Sequence, residues 1–153
     1  MTPKTSVTKL LTILGYKDHK IKISKSDEHQ QIDITIEDEQ AGALIGHQGE
    51  TIASLQIIVN LILNQGSESW TRYMLDIDGY KRDREESLKA LATKAADNSK
   101  STGKEVILSY IPSNERRIVH THLQEDKEVE TYSEGYGRNR RLVIKPTQNQ
   151  KLT

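Results

Sequence analysis

Two short patterns place residues where they could hold a phosphate. The first is Ile45-Gly46-His47-Gln48-Gly49, two glycines bracketing two polar residues. An apolar series follows at once: Ile52, Leu55, Ile58, Val59 and Ile62 recur at three- and four-residue spacing, the period of a helix face. A glycine pair at the mouth of a helix permits a tight turn and close backbone approach. The helix start adds N–H groups without intrahelical partners and a positive dipole end, and together these seat a phosphate. A plain turn before a core helix has the same signature. The second pattern lies in Asn114-Glu115-Arg116-Arg117-Ile118-Val119-His120. Arg116 and His120 are four apart, so on a helix they project from one face. A guanidinium fork beside an imidazole suits a phosphate, which accepts several hydrogen bonds at once. A solvated helix face with an incidental histidine is the plainer alternative.

Other residues do not assemble into chemistry. His120 and His122 are two apart and diverge on a helix, and no third ligand stands out, so no metal site is expected. The acidic pairs Asp76/Asp78 and Asp38/Glu39 fall at strand ends and turns, where charges are common. No cluster suits a metal-assisted cut, and no catalytic residue is expected. Phe is absent, and Trp70 and the six Tyr form no aromatic run, so stacking platforms are poorly represented. Tyr136, beside Arg138, is the aromatic residue that stands out.

These patterns need elements to position them. Thr5 to Gly15 reads as a helix with Val7, Leu10, Leu11 and Leu14 on one face, capped by Thr5 or Ser6. Lys20–Ser24 and Gln31–Glu37 alternate around Ile21, Ile23, Ile32, Ile34 and Ile36, as half-buried strands do. A short helical piece near Gln40–Ile45, the glycine loop and a helix to about Asn64 follow. Trp70 to Asp78 reads as a third strand with Tyr73, Leu75 and Ile77 inward. A three-stranded sheet covered by helices on one face would bury all these stripes. A new helix then runs from Asp78-Gly79-Tyr80 to about Asn98, with Leu88, Leu91, Ala92, Ala95 and Ala96 as its apolar stripe and Ser99–Gly103 as a breaker. Glu105–Tyr110 reads as a strand and Asn114–Gln124 as a helix opened by Pro112-Ser113. Lys127–Ser133 and Arg140–Lys145 form a hairpin across Gly135-Tyr136-Gly137-Arg138-Asn139. Thr147–Thr153 reads as a loose polar tail.

The chain has 153 residues, room for one domain or two small ones, and no cysteine, hence no disulfide frame or thiolate site. Met1–Lys9 lacks the apolar core of a secretory signal, and Ile57–Leu63 is too short to span a bilayer. A cytoplasmic protein without membrane insertion is the expectation. Net charge is zero, which counts against binding nucleic acid by bulk electrostatics. The charge is uneven, however. Residues 1–78 carry 7 basic and 11 acidic side chains, residues 79–100 carry 6 and 4, and residues 101–153 carry 9 and 7. A local basic patch in the second half can act where the whole chain cannot.

On its glycine motif and element order, the first half resembles the KH nucleic-acid-binding domain. In that family a Gly-x-x-Gly loop clamps about four single-stranded nucleotides. The middle positions, often basic there, are His47 and Gln48 here. The second half resembles the single-stranded nucleic-acid-binding domain named for its Arg-x-x-x-His spacing. The matching residues are Glu115-Arg116-Arg117-Ile118-Val119-His120, Thr131-Tyr132-Ser133-Glu134-Gly135 and Arg140-Arg141-Leu142-Val143-Ile144. Joined through a helix such as Asp78-Gly79-Tyr80-Lys81-Arg82-Asp83-Arg84-Glu85, the two resemble the Jag family of bacterial RNA-binding proteins, also called KhpB or EloR.

The resemblance implies an α+β chain. A bacterial-type KH domain, a three-stranded sheet with helices on one face, would span 1–78. A small α+β domain with a three-stranded sheet and two helices would span 79–146, with a polar tail at 147–153. Members often carry a further N-terminal domain and a charged linker. This chain opens almost at its KH-like half and is expected to lack them. Patterns and resemblance together point to a non-enzymatic protein that binds single-stranded RNA, or single-stranded DNA. It would be a bacterial post-transcriptional regulator or RNA chaperone, with no small-molecule cofactor and a single-KH-domain protein as partner. Ile45, Gly46, His47, Gln48 and Gly49 would meet the nucleic acid in the first half. Arg116, Arg117, His120, Arg138, Arg140 and Arg141 would meet it in the second. A protein–protein or ribosome-associated adaptor with weak RNA affinity is the alternative, favoured by the acidic first half.

A neutral chain with a local patch should show a shallow salt dependence. Single-strand binding loses affinity with a log–log slope of about −0.7 per neutralised phosphate, and roughly two to four contacts are expected here. A salt titration of oligonucleotide affinity checks this. A slope corresponding to about eight contacts would contradict the charge reading.

Overall fold

The structure, a computed structural model, describes residues 1–37, 39 and 41–148. It divides into two compact units, one from Met1 to Lys81 and one beginning at Arg82. Both are α+β.

The first unit starts with helix α1, Pro3–Ile13. Its cap is Thr2 rather than Thr5 or Ser6: the Thr2 side chain accepts the Thr5 N–H, and Pro3 fills the first turn, where no N–H is needed. Strands β1 (His19–Lys25) and β2 (Gln30–Ile36) pair antiparallel, and β3 (Tyr73–Ile77) pairs parallel to β2. A parallel pair needs a crossover, which here contains α2 (Ala41–Ile45) and α3 (Glu50–Asn64). Gln40, the expected start of α2, lies outside the described residues. The register sets Ile21 beside Ile34 and Ile23 beside Ile32, and it sets Ile32 beside Leu75 and Ile34 beside Ile77. That face packs on Val7 and Leu11 of α1, Leu44 of α2, and Ile52, Leu55 and Val59 of α3.

α3 presents three faces. One enters the core. A second, Gln56, Asn60 and Asn64, lies along the outer edge of β3. The Asn60 amide donates to the Tyr73 carbonyl (2.8 Å) and accepts the Tyr73 N–H (2.9 Å). Asn64 does the same for Thr71, at 2.8 and 2.7 Å, and Gln56 accepts the Leu75 N–H at 3.1 Å. Side-chain amides thus replace the missing neighbour strand. The third face corrects the expectation that every apolar stripe is buried. Ile58 and Ile62 are 43% and 41% exposed, and Ile57 and Leu61 beside them are 64% and 60% exposed. The helix has more apolar positions than its core-facing side can bury, because the ladder takes the adjoining side.

The second unit is built on α4 (Tyr80–Thr102), α5 (Ser113–Leu123) and a sheet of order β4-β6-β5: Val106–Ile107, Arg141–Pro146 and Val129–Glu134. Leu88, Ala92, Ala95 and Ala96 of α4 pack with Val119 and Leu123 of α5 and with Leu142 and Ile144 of β6. Leu91 leaves the expected stripe and is exposed. The expected breaker at Ser99 is a helical turn. Ser99 is fully buried, its hydroxyl donates to the Lys104 carbonyl (2.8 Å), and the helix ends at Gly103. β4 is shorter than the expected Glu105–Tyr110, because Leu108 and Ile111 both turn into the core. Thr147 is not loose, since its N–H donates to the Glu128 carbonyl and its hydroxyl to the Lys127 carbonyl. Residues 149–153 of the expected tail lie outside the described residues.

The ladder is testable. Asn64 is buried, and Asn64→Ala leaves both polar groups of Thr71 without their partner. The expected loss is about 1–3 kcal/mol, the cost of orphaned buried groups. Asn64→Leu, which restores volume but no hydrogen bond, should not recover it. Urea denaturation midpoints read both.

Candidate nucleic-acid interface

The glycine motif forms the turn between α2 and α3, with a single 3-10 turn at His47–Gly49. Gly46 has φ +74° and ψ 178°, and a Cβ there would meet the Thr51 Oγ1 at 2.2 Å and the Thr51 nitrogen at 2.9 Å. Gly49 has φ +79°, and a Cβ would strike the Tyr80 ring at 2.9 Å. Both glycines are therefore demanded by the turn itself. Gln48 also lies at positive φ, +52°, and is half-buried, whereas His47 is exposed. Ile45 is half-buried against the core. No side chain caps α3, so its first turn faces the loop without an internal acceptor from a side chain.

The acidic residues nearby have structural tasks. Asp76 Oδ1 accepts the Lys81 N–H at the start of α4 (3.1 Å), and Asp78 Oδ1 accepts the Ile36 N–H at the end of β2 (3.1 Å). Asp38 lies outside the described residues.

In the second unit the sequence pattern becomes a site. A cavity of about 360 Å³ is bounded by Arg116, Arg117 and His120 of α5, Thr131, Tyr132 and Ser133 of β5, and Arg140 ahead of β6. Three arginines and a histidine thus line one concavity, with hydroxyl residues on its strand side; Arg117 borders the neighbouring groove as well. Arg116 is half-buried, and one of its five N–H groups donates to the Ile111 carbonyl (2.8 Å), which fixes the fork. His120 Nδ1 hydrogen-bonds the Thr131 hydroxyl. Its Nε2 makes no hydrogen bond among the described residues. Arg140 donates to the Gly135 carbonyl (2.8 Å), across a hairpin tip where a Cβ on Gly135 would meet the Asn139 carbonyl at 2.8 Å.

The fold does not bring every expected residue to this cavity. Arg141 donates to the Arg138 and Arg140 carbonyls and lies over the Tyr110 ring, away from the cavity. Arg138 is exposed at the hairpin tip, and its side chain makes no hydrogen bond among the described residues. His122 diverges from His120 as expected. It hydrogen-bonds Thr93 and lines a separate, larger groove on the other flank of α5, with Glu85 and Glu125. Among the described residues no cluster of three or more His, Asp or Glu is placed to hold a metal.

Three contributors entered the sequence reading only as part of the resemblance and not as site residues. Thr131 and Ser133 sit on β5, where alternation alone could have placed them on the helix side. The third is Glu115, beside Arg116. It is 6% exposed and paired in a two-pronged bond with Arg84 of α4, Nε to Oε1 at 2.9 Å and Nη2 to Oε2 at 2.8 Å. The pair anchors the first turn of α5. It also commits the Glu115 carboxylate to Arg84 rather than to Arg116.

A family model for the KH domain of KhpA/KhpB matches residues 4–77, and one for the Arg-x-x-x-His domain matches residues 86–146. Proteins with the name RNA-binding protein KhpB align across both. The relative from Clostridium symbiosum is 35% identical over 124 residues, 81% of this chain and 56% of the relative. That from Bacillus subtilis is 35% identical over 134 residues, 86% of this chain and 62% of the relative. That from Lactiplantibacillus plantarum is 38% identical over 103 residues, 67% of this chain and 32% of the relative. This chain belongs to the KhpB, or Jag, family. It spans between about half and two thirds of the first two of these relatives. Among the described residues no helix is long and apolar enough to cross a membrane. Within this KhpB-family chain, the cavity at Arg116 and His120 falls inside the Arg-x-x-x-His domain match, and the glycine turn falls inside the KH match.

The Arg84–Glu115 pair sets a stability expectation. Arg84→Ala leaves a buried carboxylate uncompensated and should lose about 3–5 kcal/mol. Arg84→Met combined with Glu115→Leu should recover most of that loss, because an apolar pair of similar volume carries no desolvation penalty. Chemical denaturation of the three proteins reads the difference.

Proposed function

We propose that this chain binds single-stranded RNA without catalysing a reaction, as a bacterial regulator of RNA after transcription or an RNA chaperone in the cytoplasm. The observation that carries this reading is the convergence of Arg116, Arg117, His120 and Arg140 on one cavity. A phosphate is the ligand whose charge and acceptor count match that set. The relatives' printed name, RNA-binding protein, supports the same ligand class. In the KH half, Gly46, His47, Gln48 and Gly49 at the start of α3 would clamp the sugar–phosphate backbone, with Ile45 beside the groove. Arg138 and Arg141 would add contacts at and behind the hairpin. The two binding domains would be residues 1–78 and 79–146, and their coupling on one strand would raise affinity through effective concentration.

A second reading, an adaptor that binds protein more tightly than RNA, draws on the exposed face of α3. Ile57, Ile58, Leu61 and Ile62 form a contiguous apolar stripe of the kind that marks interaction surfaces. A single-KH-domain protein is the partner this reading names, and such a partner is compatible with RNA binding by the rest of the chain.

A double-mutant cycle tests the central claim. Arg116→Ala should weaken oligonucleotide binding by about 1–3 kcal/mol, the range for hydrogen bonds to charged groups. His120→Ala should cost less. If both hold one phosphate, the double mutant should cost clearly less than the sum. Titration calorimetry with single-stranded RNA gives the three values, and thermal melts confirm that each variant stays folded. Strict additivity would assign the two residues separate tasks, and unchanged affinity in all three would remove the cavity from the interface.

A further inference from the structure

The second sheet has a face that neither helix covers. Val106, Ile144 and Thr131 are register partners, and they point toward α4 and α5: Val106 and Ile144 pack in the core, and Thr131 bonds His120. The next residues along each strand point the other way. Ile107, Val143 and Tyr132 are register partners there. Val143 is 0% exposed although it lies outside the helix-covered core, while Ile107 and Tyr132 are 54% and 39% exposed. The face is thus a small apolar and aromatic floor.

Two cations frame it. The Lys145 Nζ lies 5.6 Å from the centre of the Tyr132 ring, and the Arg141 guanidinium lies 5.5 Å from the centre of the Tyr110 ring. Arg141 is held in that pose by its bonds to the Arg138 and Arg140 carbonyls, at 2.6 and 3.2 Å. A guanidinium held beside an aromatic ring is one of the surfaces on which an unstacked base can rest. Two carboxylates share the face. Glu130 pairs with Lys145 at 3.3 Å, both side chains being about half exposed, and Glu134 is the register partner of Arg141. An exposed pair of that kind is weak and yields to a phosphate.

We infer that this helix-free face, centred on Tyr132, Ile107 and Arg141, is a second contact for single-stranded RNA, on which bases stack while Lys145 and Arg141 meet phosphates. Rings and guanidinium planes are the surfaces on which unstacked bases rest. The floor meets the cavity at Tyr132, which borders both, and through the chain itself. Arg140 lines the cavity and Arg141 lies on this face, so a strand passing the hairpin end at Arg138 and Tyr136 reaches both. The inference rests on the RNA-binding reading of the same unit.

The test uses the full chain and a fluorescein-labelled oligouridine long enough to cross both faces, read by anisotropy. Stacking on one ring contributes about 1–3 kcal/mol, so Tyr132→Leu should weaken binding about fivefold or more, at 1.4 kcal/mol per tenfold. Tyr132→Phe should keep the wild-type affinity, because the ring remains. Ile107→Ser removes a half-exposed floor residue that does not border the cavity; it too should weaken binding, and a loss in Tyr132→Leu without one in Ile107→Ser assigns Tyr132 to the cavity and overturns the inference. Cross-linking with 4-thiouridine should mark peptides containing Tyr132 or Tyr110. If Tyr132→Leu and Ile107→Ser fold and bind as wild type while Arg116→Ala weakens binding, the face is not an RNA contact, although the RNA-binding reading stands. If instead these variants alter only self-association by light scattering, the face is a protein surface and the inference falls. If the wild type binds no single-stranded RNA, both fall together.

Discussion

The outer edge of β3 carries backbone N–H and C=O groups that point away from β2, and α3 answers them with amides rather than with apolar side chains. Gln56, Asn60 and Asn64 recur every four residues and meet Leu75, Tyr73 and Thr71 in turn. The rest of the first unit follows from this alignment. It fixes the distance and pitch of α3 over the sheet and directs Ile52, Leu55 and Val59 into the core. It places the helix start, and so the glycine turn, beside the end of β3 and Tyr80. It also closes the edge against a further strand, the usual route to unwanted association. The apolar stripe of Ile57, Ile58, Leu61 and Ile62 is what remains of the helix once core and edge are served.

The second unit rests on a comparable bond of opposite character, a buried ion pair. Arg84 and Glu115 meet at 2.8 and 2.9 Å within a region largely closed to water. Such a pair adds little net stability over an apolar one, but it tolerates only one geometry. Its position, one residue before Arg116, gives it a local electrostatic consequence. The Glu115 carboxylate, next in sequence to Arg116, is paired with an arginine of another helix, so a chain of zero net charge can still gather basic residues around one cavity. Charge placement, rather than charge total, sets the character of this face.

The two phosphate-seeking patterns have different standing. Gly46 and Gly49 are required by positive φ and by the proximity of Thr51 and Tyr80, whether or not anything binds. The glycines therefore speak for the turn first. Arg116, His120 and Arg140 each make one hydrogen bond within the fold, and each has further nitrogens to spare. Three arginines line the cavity, with the hydroxyl residues Thr131 and Ser133 on its strand side. The proposed reading therefore leans on the second unit, where basic side chains and hydroxyls border one concavity.

Much of this was legible along the chain. The alternation at Ile32, Ile34 and Ile36 marked a strand, the spacing of Ile52, Leu55 and Val59 marked a helix, and Arg116 and His120 shared a face, because each signal depends on neighbours only a few residues away. The element order, the α+β class and the family resemblance came from the same local information. Features that needed the fold join residues far apart in sequence. The burial of Ser99 turned an expected breaker into helix, and the amide ladder left Ile58 and Ile62 outside the core. Arg84 found Glu115 across 31 residues. Ile107 and Tyr132, far apart in sequence, came to flank Val143 on one sheet face. Period and propensity report what a residue prefers beside its neighbours. Which side of a helix meets a strand edge, and which strand carries a residue to a cavity, is decided only when distant segments compete for the same buried space.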